Sequence, residues 1–458
     1  MNFLRPILFT CLTAGWCAAD SPKLILQITV DQLRGDLPTR FGEHLGEGGF
    51  RYLMNAGGVF KNAHHAHANT ETIAGHTTLS TGAHPAAHGM VGNVWFDRTD
   101  GRLVYNVEDD RYPLLSADAD VDDSTEIDPT QRTANSDGRS PANIAVSTFS
   151  DELAIHHVDG AKVFGVSVKD RGAIAMAGHA GKAFWFSKQA GEFVTSRFYY
   201  DAYPEWVTAF NATGPTQRYA NTSWELMHDR GTYLFADHDD QPWETDFPGY
   251  GRTFPHAFGD GTGKYFTTLL TVSPAGDEMV LDFARELIVQ EAIGQDDITD
   301  YLSVSFSSTD YVGHLFGPSS LEAEDNIRRL DRTLAHLLAF VDEKVGLEHT
   351  LIVLSADHGG PDAPGFVNQY GIESALVDPE SWDKTPAFAR LKERFGIGEE
   401  LIQTYFHPYV YLNKQAIAAA DLDLAAVESA VAAELLKLDG IAAAFTYTDL
   451  MAGSVPDT

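Results

Sequence analysis

The sequence predicts an α/β fold with a mainly parallel central sheet, helices on both of its faces, and two insertions. Three segments carry that prediction, because each is a near-continuous apolar strand that runs into acidic or histidine residues. The first is Leu24-Ile25-Leu26-Gln27-Ile28-Thr29-Val30, followed by Asp31. The second is Tyr301-Leu302-Ser303-Val304-Ser305-Phe306, followed by Asp310 and then His314. The third is Thr350-Leu351-Ile352-Val353-Leu354-Ser355, followed by Asp357-His358-Gly359. Such strands suit a parallel sheet covered on both faces. In these sheets the ligand crevice lies outside the carboxyl ends of the strands. Side chains scattered along the chain can therefore meet at one edge.

The elements follow in order. Residues 1–19 read as a secretory signal peptide, with Arg5 as the positive start and Pro6 to Trp16 as the apolar stretch. Cys17-Ala18-Ala19 then forms a small-residue cleavage site before Asp20; a short buried N-terminal strand or helix is the alternative. The apolar run is too short for a bilayer, and no other segment reaches the roughly 18 apolar residues of a span. Both cysteines, Cys11 and Cys17, fall inside this segment. The expected mature chain, a single domain over 20–458, is thus periplasmic or secreted and free of disulfides.

After the first strand come a short helix near Gly49–Asn55, a strand near Val59–Ala63, and a helix from Thr72 to about Thr81. Residues 112–141 include Asp118-Ala119-Asp120-Val121-Asp122-Asp123 and read as a solvated loop. They lack the glycine and glutamate that an EF-hand requires. Lys162–Val168 is a further buried strand. Residues 190–275, rich in aromatic residues, glycine and proline, read as an insertion over the site, with Asp237-His238-Asp239-Asp240 as ordinary loop. Ser319 or Ser320 caps a long helix through about Val345, with Ile327, Leu330, Leu334, Leu337, Leu338 and Val341 as its inward stripe. The second insertion, about 361–450, holds a strand at Tyr409–Leu412 and alanine-rich helix from about Leu422.

Without residues 1–19 the chain carries 31 Lys and Arg against 65 Asp and Glu, a net charge of −34. That excludes general nucleic-acid binding, which needs a basic surface. An anionic substrate must be drawn in by local positive charge against the overall field.

The residues after the strands suggest what supplies that charge. Asp31, Asp310, His314, Asp357 and His358 form a carboxylate and imidazole set without thiolate, which suits zinc and, less selectively, manganese or iron. A metal-dependent enzyme follows. Thr72 opens a helix, where backbone N–H groups favour an anion; from the residues alone a plain N-cap threonine is the simpler reading. Lys169 and Arg171 leave the Lys162–Val168 strand at the same edge of the sheet and suit phosphoryl oxygens, or else an exposed loop paired with the acidic surface. Asn93 offers a further amide donor.

Seven segments together resemble the alkaline phosphatase superfamily. They are Val30-Asp31-Gln32-Leu33-Arg34, Thr70-Glu71-Thr72-x-x-Gly75-His76-Thr77-Thr78-x-Ser80-Thr81-Gly82, Pro85-x-x-His88-Gly89 and Gly92-Asn93-x-Trp95. Ser167-Val168-Lys169-Asp170-Arg171, Asp310-Tyr311-x-Gly313-His314 and Ala356-Asp357-His358-Gly359 complete the set. More narrowly, the chain is similar to phosphate-irrepressible alkaline phosphatases, relatives of nucleotide pyrophosphatase/phosphodiesterases. The resemblance implies two zinc ions, one on Asp31, Asp357, His358 and Thr72, the other on Asp310 and His314. It implies Thr72 as nucleophile, a phosphothreonine intermediate, and ions about 4 Å apart stabilising the attacking and leaving oxygens. Asn93, Lys169 and Arg171 are then the holders of the non-bridging oxygens, and small phosphate monoesters the substrates.

The chain departs from the family pattern at one place. The family's third histidine on the leaving-group side has no matching Thr-His-Gly or Met-His-Gly segment here; after His358 the chain holds only His407, in Phe406-His407-Pro408. The expectation is that the C-terminal part of the family domain is missing and that the second zinc site is incomplete, with His407 as the alternative ligand. Two rivals follow: a phosphodiesterase or nucleotide pyrophosphatase on the same fold, and a non-catalytic phosphate- or metal-binding form. A sulfatase with a cysteine-derived nucleophile is excluded, since the expected mature chain has no cysteine. The sequence does not fix the oligomeric state.

Overall fold

The computed structural model describes residues 21–158 and 160–454, so the segment read as a signal peptide lies outside the described residues. Its centre is a six-stranded sheet. The strands are β1 (Leu24–Val30), β2 (Val163–Ser167), β3 (Lys182–Ser187), β4 (Glu192–Val194), β5 (Asp300–Phe306) and β6 (Thr350–Ser355). Their spatial order is β6-β1-β5-β2-β3-β4, parallel throughout except for the antiparallel β3–β4 pair. In register, Thr29 pairs with Ser305 and Ser355, and Ser305 pairs with Ser167. This hydroxyl row marks where four strands stop being core and start being site.

Five helices position that site: α1 (Thr72–Thr81), α2 (Asp170–Ala177), α3 (Pro274–Gln290), α4 (Ser308–Phe316) and α5 (Leu321–Lys344). The two faces of β3 show how the sheet is covered. Phe184 and Phe186 join the larger core with Phe283 of α3 and Leu334 of α5, whereas Ala183 and Trp185 join a second core with Ile73 of α1 and Ile174 of α2. Gly165 allows α2 to lie on β2, because a Cβ there would meet the Ala173 carbonyl oxygen at 2.3 Å. In α5, Ser320 Oγ accepts the Ala323 N–H at 3.1 Å, and the stripe from Ile327 to Val341 is fully buried. Each of those side chains contributes about 1.5–3 kcal/mol of apolar burial.

Some expectations need correction. Val59–Ala63 is not a strand: Phe60 is 89% exposed and, among the described residues, no strand pairs with it. The β6 strand is not buried on both faces. It sits at the sheet edge, and Leu351 and Val353, which share one face of it, are 51% and 39% exposed, so that face is left largely open to solvent among the described residues. The acidic stretch 112–141 is irregular, but it is not simply solvated, because Glu126, Asp128, Gln131 and Arg139 are buried.

The aromatic stretch 190–275 packs into the main core. Phe193 stacks on Phe283 of α3 at 4.2 Å, and Trp224 Nε1 donates to Asp325 of α5 at 2.6 Å. Asp239 and Asp240 pair with Arg230 and Arg252, as ordinary loop residues do. Residues beyond 361 build a small core of their own around Phe388, Leu401, Leu412, Val427 and Val431. Its hairpin, Ile402–Phe406 with Tyr409–Leu412, packs on the strand Val94–Asp97, where the Phe96 and Tyr411 rings lie 5.5 Å apart.

Candidate active site

Beyond the hydroxyl row the chain turns outward from four strands and delivers the charged residues together. Asp31 follows β1 and is fully buried, its N–H held by the Phe306 carbonyl at 2.9 Å. Gln32 adopts a left-handed backbone (φ 63°), uncommon for a residue with a side chain and a frequent mark of a functional site. That conformation lets its N–H donate to Asp357 Oδ1 at 3.0 Å and its side-chain amide to Asp310 Oδ1 at 2.8 Å. One residue thereby spaces two of the three carboxylates.

His358 shows what the cluster lacks. Its Nδ1 lies 2.8 Å from the Gly359 carbonyl, which can only accept, so Nδ1 carries the hydrogen. Nε2 then faces Asp31, Asp357 and Asp310 at 3.4, 3.7 and 3.8 Å. A lone pair aimed at three carboxylates demands a cation. In the protein alone the proton fills that role: burial opposes it, but Asp357 and then Asp31 and Asp310 outweigh burial and hold His358 up at about 10.

The same need appears at the acids. Both Asp31 oxygens and Asp357 Oδ2 are buried without a hydrogen-bond donor. Lys169 Nζ, 2.9 Å from Asp31 Oδ2, and His76 Nδ1, 3.0 Å from Asp357 Oδ2, are close but out of line for a hydrogen bond. Burial and the charge of Asp357 push the Asp31 carboxyl up despite Lys169. Asp310 moves the other way: Lys169, His314 and His358 overcome burial and hold it well below the usual carboxylate range. The ligand atoms of Asp31, Asp357 and His358 lie within 4.8 Å of one another, a metal-sized group of oxygen and nitrogen donors. Beside it, one turn apart on α4, His314 Nε2 stands 3.3 Å from Asp310 Oδ1, with its side chain 68% exposed. These residues fit a dication.

Thr72, 2% exposed, is the first residue of α1. Asn93 braces the same helix end, its Oδ1 accepting the Ile73 N–H at 3.1 Å. Arg171 is fully enclosed; Nη2 reaches Thr72 Oγ1 at 3.4 Å and Nη1 donates to Tyr105 Oη at 3.2 Å. Lys169 is as deeply buried, its ammonium between Asp31 and Asp310, which keep it charged against burial. His407 sits at the exposed turn of the Ile402–Leu412 hairpin, outside the group that Asp31, Asp357 and His358 form.

Three supporting residues escape a reading of the sequence for function. Gln32 is adjacent to a strand-terminal acid, and its position was the available signal. His76 lies four residues after Thr72, and its ring ties α1 to both Asp357 and Ser305 Oγ (2.9 Å). Asp128 comes from the acidic stretch and gives no local signal at all.

Fold and site together define a hydrolase-like centre: a buried carboxylate and imidazole group that fits a metal ion, a hydroxyl at a helix start and two buried cations, all at the strand ends of a parallel sheet. The chain belongs to the type I phosphodiesterase / nucleotide pyrophosphatase family, whose model matches residues 25–453, within the alkaline phosphatase superfamily. It is 34% identical to alkaline phosphatase PafA of Elizabethkingia meningoseptica over 96% of this chain and 78% of that protein. Alkaline phosphatase PhoV of Synechococcus elongatus is also 34% identical, over 95% of this chain and 76% of that one. A crystal structure of wild-type PafA superposes with a TM-score of 0.85 at 33% identity, covering 96% of this chain and 81% of that chain. Among the described residues no helix is long and apolar enough to cross a membrane.

Proposed function

We propose that this chain is an exported zinc-dependent phosphomonoesterase with Thr72 as its nucleophile. The observation that carries the reading is the pairing of the Thr72 hydroxyl with a buried guanidinium, Arg171, 3.4 Å away. Asp31, Asp357 and His358 would hold one zinc ion, and Asp310 with His314 would offer ligands to a second. Zinc bound there supplies positive charge to the attacking and departing oxygens. The bond from Thr72 Oγ to phosphorus forms as the ester P–O bond breaks and the alcohol departs. Water then cleaves the phosphothreonine to phosphate. Arg171, Lys169 and the Asn93 amide hold non-bridging oxygens, and the low-dielectric surroundings strengthen that hold. Export rests on the N-terminal segment and the cysteine-free remainder.

Zinc content and activity test this directly. Stripping metal with a chelator is expected to abolish p-nitrophenyl phosphate hydrolysis, and added zinc to restore it; turnover that survives complete stripping would end the proposal. The choice of monoester over diester rests on Lys169 and Arg171. A dianionic monoester gains from both cations, whereas a diester carries one charge fewer and a second ester group. Lys169→Ala with Arg171→Ala is therefore expected to lower monoester kcat/KM at least about 100-fold more than diester kcat/KM. Equal losses on both substrates would remove these residues from that role.

A further inference from the structure

Arg171 has more geometry around it than its contact with Thr72. The guanidinium is buried, so its direction is fixed by protein groups and not by water. Tyr105 Oη accepts from Nη1, but that hydroxyl is itself committed as a donor to Asp170 Oδ1 at 2.6 Å. The other Asp170 oxygen takes Arg139 Nε at 2.7 Å. Nearby, Glu126 is paired with Lys188, whose ammonium lies over the Tyr311 ring. Asp128 is left as the carboxylate facing the guanidinium, its Oδ2 2.8 Å from Nη1 though out of line for a hydrogen bond, whereas Asp170 Oδ1 meets Arg171 through its backbone N–H at 2.7 Å. Its second oxygen is anchored locally, accepting the Thr130 N–H at 2.9 Å and the Thr130 hydroxyl at 2.6 Å. The turn thus aims Oδ2 before Arg171 arrives.

We propose that Asp128 is a positioning residue that holds Arg171 beside the Thr72 hydroxyl and thereby sets the preference for monoesters. The inference rests on reading Arg171 as a phosphoryl-binding group. Without the carboxylate, the buried guanidinium keeps two neutral partners, Tyr105 Oη and Thr72 Oγ1, and loses the charged group that fixes its direction. A displacement of about 1 Å at such a group is enough for a loss near 100-fold. The acidic stretch, separate in sequence from every metal ligand, then acts on selectivity through one ion pair.

The test is a double-mutant cycle in the zinc-loaded full chain, with p-nitrophenyl phosphate and bis-p-nitrophenyl phosphate as substrates. Asp128→Asn is expected to lower monoester kcat/KM by about 10- to 100-fold and diester kcat/KM by less than about 3-fold. In an Arg171→Ala background the same change is expected to do nothing further. Equal losses on both substrates, or a full loss again in the Arg171→Ala background, overturn the proposal. Should Asp128→Asn fail to fold, Thr130→Val removes only the hydroxyl anchor; a selective monoester loss of about 3-fold supports the idea and an unselective one sinks it. Binding of inorganic phosphate, measured by calorimetry over the same cycle, needs no turnover. It separates failure of this assignment, where Asp128→Asn leaves binding unchanged or weakens it equally without Arg171, from failure of the phosphatase reading, where wild-type turnover is absent.

Discussion

Thr72→Ala is expected to abolish phosphomonoester turnover and to leave fold and zinc content unchanged. The hydroxyl is buried with Arg171 Nη2 as its neighbour at 3.4 Å, and the side chain caps nothing at the helix start. Glu71 occupies the N-cap position, so the alanine variant loses no capping bond; the buried methyl and the Arg171 contact it does lose cost about 1–2 kcal/mol. What disappears is the atom proposed to attack phosphorus. Removing the nucleophile of an enzyme that works through a covalent intermediate lowers kcat on the order of 10⁴- to 10⁶-fold. Thr72→Ser keeps a hydroxyl on a freer rotor and is expected to retain part of the rate. Acid quenching of the wild type with labelled substrate should leave label on Thr72. If the alanine variant turned over within about tenfold of wild type, another group would have to be the nucleophile.

How far these residues could be read in advance depended on whether their partners are set by topology or by individual loops. Asp31, Asp310, Asp357 and His358 are distant in sequence, yet each follows a near-continuous apolar strand, and parallel strands share one carboxyl edge. Their convergence was legible because it depends only on strand direction. Lys169 and Arg171 were legible for the same reason, since β2 delivers them to that edge. The polarity of Thr29, Ser167, Ser305 and Ser355 made the end of each strand visible as well.

The rest depended on contacts that no local pattern encodes. Asp128 lies in a run of acids whose composition says only that it is polar, and its burial follows from Arg171, far along the chain. Gln32 required a left-handed backbone, which its side chain does not announce. The Val59–Ala63 run had strand composition but, among the described residues, no partner strand. At β6 the apolar run promised two covered faces; edge position overrode it at Leu351 and Val353. Composition reports what a segment tolerates, and only the neighbours decide what it does.

Gly75 offers the sharpest contest between local preference and such neighbours. It lies inside α1, three residues after Thr72, where alanine ordinarily stabilises a helix by about 1 kcal/mol over glycine. A Cβ here, however, would stand 2.0 Å from the Asp357 carbonyl oxygen, 2.5 Å from its carbon and 2.8 Å from its Cα. All three are backbone atoms, so no rotamer change relieves the clash. Either α1 moves off, carrying Thr72 and His76 with it, or the Asp357 segment moves, carrying a carboxylate of the candidate metal group. Gly75→Ala is therefore expected to weaken zinc binding, lower kcat/KM by more than about 100-fold, and lower Tm despite the better helix propensity. Gly35→Ala, where a Cβ meets nothing within 4 Å, serves as the control and should leave all three unchanged. A Gly75→Ala enzyme that is more stable and fully active would show that the nucleophile helix and the Asp357 loop tolerate separation. The close approach would then be incidental to the chemistry. If instead zinc affinity and rate fall together while Gly35→Ala is silent, the missing side chain at Gly75 is what lets one helix bring the hydroxyl to the metal ligands.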